Sequence, residues 1–408
     1  MSTAASSVTS HASSDASQQT ASSSVQYDHE PFASFKDRVL SLTQSHIWID
    51  APAGEILVDR LPGGGFNRII GLTRQSQSDD KIQYILRLPR FDSARLDRDV
   101  AVLLFLDQHT HIPAPKVIHF DQTDSNPVLS PYMVQNRLPG ADLYHTFPTL
   151  DHWQKCLFAK SFGSVVRQML ETRSCDPGQL ALLHNDTKTT AVNPTVAIEA
   201  WYSTESHETE PYRAILGPHE TPQKLFDILS SMFERQKSDA LERDPKGKYI
   251  PRLVEKFVSM ASALDQRGYL SQTTYSLAHL DLAPRNILVR CAPDVTEQTI
   301  ISGILDWDSA VFGPGFMACA PPQWIWDWKD DEDEDERKAN DDPPEPENRQ
   351  LKLLFEQCAG QDYCRYAYDA KYRLARRLVR LAMEGIRSNE DSKDADAMFR
   401  EWGEISIQ

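Results

Sequence analysis

The segment His279-Leu280-Asp281-Leu282-Ala283-Pro284-Arg285-Asn286-Ile287-Leu288-Val289 sets a carboxylate and a carboxamide five positions apart on a proline-bearing loop that runs into an apolar strand. A carboxylate so placed can accept the proton of an attacking hydroxyl. The amide oxygen of Asn286 can ligate Mg²⁺ while the same side chain fixes the loop. His279 reads as a brace that bonds backbone rather than as a proton carrier. A second segment, Ile304-Leu305-Asp306-Trp307-Asp308, follows, with Asp306 25 positions after Asp281. An apolar strand ending in an acidic residue exposes that carboxylate at its edge, where a metal ion carrying nucleotide phosphates can be held.

The surrounding 408-residue chain is 40% hydrophobic and 25% charged, which excludes collagen-like, coiled-coil and wholly disordered classes. With 59 acidic against 43 basic side chains its formal net charge is −16. Such a chain repels phosphate backbones and anionic membranes, so neither nucleic acid nor membrane is expected as a partner. No apolar run approaches the roughly 18 residues that span a bilayer. The N-terminus carries no basic region before Lys36 and no apolar core of a signal. A cytoplasmic protein is expected, and its six scattered cysteines, with no CxxC pair, read as free thiols.

Composition divides the chain. Residues 1–30 are Ser/Thr-rich with almost no large apolar side chain and read as a disordered tail. Glu55–Leu61, Asn67–Arg74 and Lys81–Leu88 read as strands, the first two separated by Gly63-Gly64-Gly65. Ser93–Gln108 repeats apolar residues at helical spacing, and Lys116–Asp121 and Tyr132–Asn136 return to strand character. His152–Glu171, Gln223–Arg235 and Ile250–Arg267 read as amphipathic helices, whereas polar, Pro-bearing Cys175–Pro222 reads as irregular. Leu277–Ile287 and Ile300–Val311 bracket a hairpin. Residues 327–349 carry a dense acidic run and then PPEPE, and read as an acidic mobile loop. Leu351–Gly385 and Asp394–Trp402 are helical in pattern. The expected domains are the tail, an N-terminal lobe at 31–138 and a C-terminal lobe at 139–408.

The order H-x-D-x(4)-N and then an apolar D-x-D resembles the aminoglycoside phosphotransferase-like proteins (the phosphotransferase enzyme family), with their choline-kinase relatives and protein-kinase-like fold. There the loop commonly reads HGDxxxxN and the later segment IDW followed by Asp or Glu. The likeness runs from about Leu57 to Gly315 and more loosely beyond. It implies an α+β fold of two lobes: a small antiparallel sheet with one main helix, and a larger, mostly helical lobe. It also implies transfer of the γ-phosphate of ATP to a hydroxyl of a small-molecule acceptor, with no protein partner indicated. Asp281 becomes the base, His279 the loop brace, and Asn286 and Asp306 the Mg²⁺ ligands. Arg285, inside the loop, is placed to hold the γ-phosphate or the base.

Upstream, the same resemblance makes Gly63, Gly64, Gly65, Phe66 and Asn67 a nucleotide-covering turn, where glycine lets backbone amides approach phosphate oxygens. Arg87 stands where the family most often has the Lys that pairs with the α/β-phosphates. Arg keeps the charge but grips phosphate as a planar fork. Asp99 matches its acidic partner on the following helix, with Asp97 as the competing position. Backbone groups near Gln135 and Arg137 would read the adenine edge.

Other features have blander readings. Trp324, Trp326 and Trp328 read as core or lid platform, or as the lining of an acceptor pocket. The run Asp330–Glu336 reads as solvated, or as an attractor of a cationic acceptor. His109 and His111 lack a third ligand at metal spacing. A catalytically weak nucleotide-binding scaffold on the same fold, and a hydrolase using Asp306 and Asp308, are the other function classes that the residues allow.

Overall fold

The computed structural model describes residues 30–49, 51–61, 66–75, 81–91, 95–183, 194–201, 212–213, 224–292, 295–329 and 335–406. The expected Ser-rich tail, the three glycines Gly63, Gly64 and Gly65, and Asp330–Glu334 of the acidic run lie outside the described residues. By their contacts the described residues form two compact units. One holds those up to Leu96 together with Lys116–Arg137, and the other holds Asp97–Pro115 and those from Leu138 onward. The helix expected in the N-terminal lobe thus groups, from Asp97 on, with the second unit.

In the first unit, helix α1 (Phe32–Leu42) lies on a five-stranded antiparallel sheet of order β1-β2-β3-β5-β4. Its strands are β1 (Ile56–Arg60), β2 (Asn67–Gln75), β3 (Lys81–Pro89), β4 (Val117–Asp121) and β5 (Tyr132–Asn136). Each lies within two residues of its sequence-based bounds. Phe35, Val39 and Leu42 recur at helical spacing and are buried with Ile70, Leu72, Leu86, Leu88, Tyr132 and Val134. Trp48 stacks on Tyr84 with centroids 5.3 Å apart. Side chains alternate along a strand, so burial of Leu86 and Leu88 toward α1 turns Arg87 to the other face. The register sets Arg87 opposite Met133 and Ile85 opposite Gln135. Arg87 and Gln135 therefore share one face of the sheet.

The second unit opens with α2 (Leu96–His109). It continues through β6 (Ala141–Asp142), a helical turn α3 (Leu143–Thr146) and the long α4 (His152–Glu171). Asp151 and Gln154 close a reciprocal capping box that satisfies the first free amides of α4. Two strands follow where irregular chain was expected. After β7 (Arg173–Ser174), β8 (Gly178–Leu182) pairs antiparallel with β9 (Val196–Ala200) and, at Gly178, with β14 (Val311–Gly313). The polar composition of Cys175–Pro222 hides them, because burial of Leu180, Ala181, Leu182, Ala197 and Ile198 depends on partners remote in sequence. Tyr212–Arg213 adds the edge strand β10.

Helices α5 (Leu225–Arg243) and α6 (Tyr249–Gln266) then lead into β11 (Tyr275–Ala278), which pairs with β14. The expected hairpin is β12 (Ile287–Val289) and β13 (Ile301–Ile304), with Ile287 opposite Ile304. The expected loop at 327–349 ends early, because Pro346 opens α7 (Pro346–Ala359), where a missing N–H costs the helix nothing. The single C-terminal helical stretch divides into α7, α8 (Gln361–Tyr368) and α9 (Ala370–Glu384), broken at Gly360 (φ +92°) and at Asp369, which caps α9. Helix α10 (Asn389–Ser406) ends the chain. α4 and α7 pack so closely at Gly163 that a Cβ there would stand 2.5 Å from the carbonyl oxygen of Phe355. Among the described residues no helix is long and apolar enough to cross a membrane.

Candidate active site

Strand β11 is buried at every position, and it delivers His279 to its end only 2% exposed. A carbonyl oxygen can only accept, so the 2.8 Å contact of His279 Nε2 with the oxygen of Leu305 fixes a proton on Nε2. Nδ1 then accepts the Asp281 N–H at 3.3 Å. Both ring nitrogens are engaged with backbone, and the ring lies 4.5 Å from that of Trp307. Burial, the largest influence, holds the imidazolium pKa below its ordinary value, against the opposing pull of the Leu305 carbonyl. His279 is a neutral brace.

Asp281 is held from two sides. Arg285 Nη2 donates to Oδ1, and Asn286 Nδ2 donates to Oδ2 at 3.0 Å and to the Asp281 carbonyl at 2.9 Å. The Asp281 side chain is 39% exposed and that of Arg285 63%, so this ion pair faces solvent and contributes little stability. Asn286 is buried, and its NH₂ is committed to Asp281. Its amide oxygen is the atom left to offer a cation.

Leu305 joins the two segments. Its N–H donates to the carbonyl of Asn286 at 2.8 Å, while its carbonyl takes the His279 proton. One backbone residue thus fixes both ends of the Asp281 loop and presents the next residue, Asp306, beside them. Asp306 is left-handed (φ 63°, ψ 54°), and Trp307 behind it is anchored through Nε1 to the Ile304 carbonyl at 2.9 Å. Leu280 is also left-handed, at φ 61°. The sequence missed this staple, which is made of backbone atoms. The strain at Leu280 had a signal, since the resembling family commonly has glycine there.

Asn286 and Asp306 offer hard oxygen donors of the kind Mg²⁺ takes, one or two carboxylates being completed by phosphates and water. Among the described residues no cluster of three or more His, Cys, Asp or Glu side chains could hold a metal by itself.

In the first unit, Arg87 and Gln135 are each less than a tenth exposed on their shared sheet face. Gln135 Oε1 is buried and has no hydrogen-bond partner. Of the backbone groups near Gln135 and Arg137 expected to read the adenine edge, the Arg137 N–H donates to the Gln83 carbonyl at 3.0 Å, extending the β3–β5 ladder. Phe66 is 70% exposed and Asn67 starts β2. On α2, Asp97 is the buried acid and Asp99 is half-buried, which favours Asp97 as the residue needing a structural partner.

Of the tryptophans, Trp324 and Trp326 are core, packed among Phe158, Phe162 and Phe355. Trp328 is half-buried and stacks on Phe147 at 5.0 Å. At the described end of the acidic run, Glu336 pairs with the buried Arg376 at 2.9 Å, while Asp335 pairs with the exposed Arg337 at 2.8 Å.

Among solved structures, the chain is similar to choline kinase from Cryptosporidium parvum at 12% identity. That alignment covers 91% of this chain and 97% of that one, with a TM-score of 0.47. For an ADP-bound aminoglycoside phosphotransferase the values are 12%, 90%, 97% and 0.48. For a macrolide 2'-phosphotransferase from Brachybacterium faecium they are 16%, 89%, 96% and 0.43. No curated protein matches the chain. The family model described as the phosphotransferase enzyme family matches residues 71–317, more than half of the chain, and the chain belongs to that family.

Proposed function

We propose that the protein transfers the γ-phosphoryl group of ATP to a hydroxyl of a small-molecule acceptor, with Asp281 as the base. The observation that carries this reading is the backbone staple at Leu305. It sets a solvent-facing carboxylate, a buried carboxamide and a second carboxylate into one fixed group. Phosphoryl transfer asks the protein mainly for positioning and charge, and this is a positioning device.

Asp281, oriented by Asn286, takes the proton of the acceptor hydroxyl as its oxygen bonds to phosphorus. Arg285 balances the Asp281 charge at rest and is long enough to turn toward an incoming phosphate. Asn286 and Asp306 would hold Mg²⁺, which when bound neutralises charge on the phosphate oxygens. Arg87 supplies fixed positive charge to the phosphates, and Asp97 or Asp99 is the acid matched to it. The unpartnered Gln135 Oε1 fits an exocyclic N–H of the base, beside the backbone groups near Gln135 and Arg137 proposed as readers of the adenine edge. The segment Gly63–Gly65, with Phe66 and Asn67, remains the proposed phosphate cover.

Calorimetric titration of ATP, with and without Mg²⁺, tests this reading. Wild type should bind in a Mg²⁺-dependent manner and Asp306→Ala should lose that binding. No binding by either protein overturns the proposal.

A further inference from the structure

On the side of the Asp281 loop toward α4 and α9 lies a cavity of about 320 Å³. It sits wholly within the second unit, with Asp281 among its lining residues. One part of its lining is apolar: Phe162, Val166 and Met169 from α4, Leu280 from the loop, Met317, and Met383 from α9. Three of the chain's eight methionines are thus gathered here, and methionine walls adapt to irregular apolar shapes.

The charged part of its lining is compensated. Arg376 pairs with Glu336 at 2.9 Å, Arg380 with Glu384 at 2.9 Å, and Arg377 with Asp394 and with Glu401. Among the described lining residues, three arginines therefore face acidic partners already in place, and neither a polycation nor a polyanion finds surplus charge. Leu280 adds an independent sign. A branched side chain held at φ 61° is strained, and strain that persists beside a reacting group marks a functional constraint. What the Leu280 side chain lines is this cavity.

We propose that the acceptor is an alcohol with a lipophilic body. Its hydroxyl meets Asp281 and its apolar part lies among the methionines, Phe162 and Leu280. This rests on the phosphotransferase reading above. In the step, the acceptor oxygen bonds to the γ-phosphorus and the bond from that phosphorus to the bridging oxygen breaks. ADP leaves with that electron pair, and the hydroxyl proton passes to the Asp281 carboxylate. The products are an alkyl phosphate monoester and ADP.

The test offers the full-length protein Mg·ATP and a series of straight-chain primary alcohols from butanol to decanol, with kanamycin as a polycationic comparison. Alkyl phosphate is followed by phosphorus NMR. The expected kcat/KM rises about fourfold per methylene, the ratio that about 0.8 kcal/mol per buried CH₂ corresponds to. It levels off once the chain fills the cavity, and kanamycin is not phosphorylated. In Met383→Lys and Leu280→Asn the dependence on chain length flattens, while Mg·ATP affinity by calorimetry is unchanged. A flat series, no alkyl phosphate, or preference for kanamycin, each with Mg·ATP binding intact, overturns the lipophilic acceptor and leaves the phosphotransferase reading standing. Absence of Mg·ATP binding overturns both.

Discussion

Leu280 and Asp306 carry almost the same backbone, φ 61° and φ 63°, on two loops tied together through Leu305, yet they are opposite choices for it. Asp is one of the few non-glycine residues that visits the left-handed region readily, because its short polar side chain can bond locally. Leu is not. At Asp306 the conformation and the chemistry agree: the turn needs a residue tolerant of positive φ, and the proposed metal site needs a carboxylate. At Leu280 they disagree, and the surroundings must impose the conformation. His279 is pinned by Leu305 and Asp281 by Asn286, so the residue between them has little freedom. One loop is strained by what its backbone must do, and the other is suited to it.

The comparison breaks first at its centre. Asp281→Ala should lower transfer about 10²–10⁴-fold, the range of a positioned general base, while Mg·ATP still binds. Single-turnover transfer set beside calorimetric affinity checks this. Turnover at the wild-type rate would reduce the whole loop to a structural feature. Next in size is Asp306→Asn. Asn tolerates the left-handed backbone as Asp does, so the melting temperature should stay put. Loss of the charge should weaken Mg·ATP more than tenfold, at least what a residue one step removed from a metal is worth. A variant that instead melts early and binds normally would make Asp306 a turn residue alone.

The brace comes third, and its signature is a pH dependence. Burial lowers the folded-state pKa of His279 below the ordinary value of about 6.5. Between those two values the unfolded chain binds a proton that the native state does not. Stability from this group is therefore complete above about pH 6.5 and declines as pH falls toward the folded pKa, by up to about 1.4 kcal/mol per pH unit. His279→Gln removes that proton and one of the two backbone bonds. Urea midpoints should show the variant less stable by about 1–3 kcal/mol at pH 7.5, with the gap narrowing at pH 5.5. An equal gap at both pH values would mean that His279 does not titrate with unfolding.

What was legible in the sequence follows the same division between local pattern and remote contact. β3 announces itself through alternation and β2 through its β-branched character, and the pairing register of β3 with β5 then places Arg87 and Gln135 on one face. The residue types Asp281, Asn286 and Asp306 could be picked out because side-chain chemistry is written in the chain. The staple could not, since any residue but proline at position 305 has the same N–H and C=O. β8 was hidden because the strand it leans on, β14, lies more than a hundred residues later, and β9 because it pairs in turn with β8. The cavity gathers Met169, Met317 and Met383 from three distant segments, each of which alone reads as ordinary core. Near Arg137 the resemblance pointed to a stretch of backbone, and the sheet of this chain already uses one donor of it.

The smallest effect discriminates most sharply between the two loops. Replacing Leu280 by Gly relieves the left-handed strain, about 1–2 kcal/mol. Against this stand about 0.5–1 kcal/mol of extra chain entropy and about 1 kcal/mol for a half-buried isobutyl group. These terms nearly cancel, so the urea midpoint should shift by less than about 1 kcal/mol in equivalent stability. Leu280→Val is the instructive partner. Val is smaller than Leu, so an ordinary loop position would register only a modest loss of burial. In the left-handed region, however, a β-branched residue is a true outlier, and its crowding adds to that loss. Val should therefore be less stable than both Leu and Gly, an order that volume alone cannot produce because Gly is the smallest of the three. If stability instead follows side-chain size from Leu through Val to Gly, the backbone at position 280 is not under strain, and the contrast with Asp306 dissolves into an ordinary difference in burial.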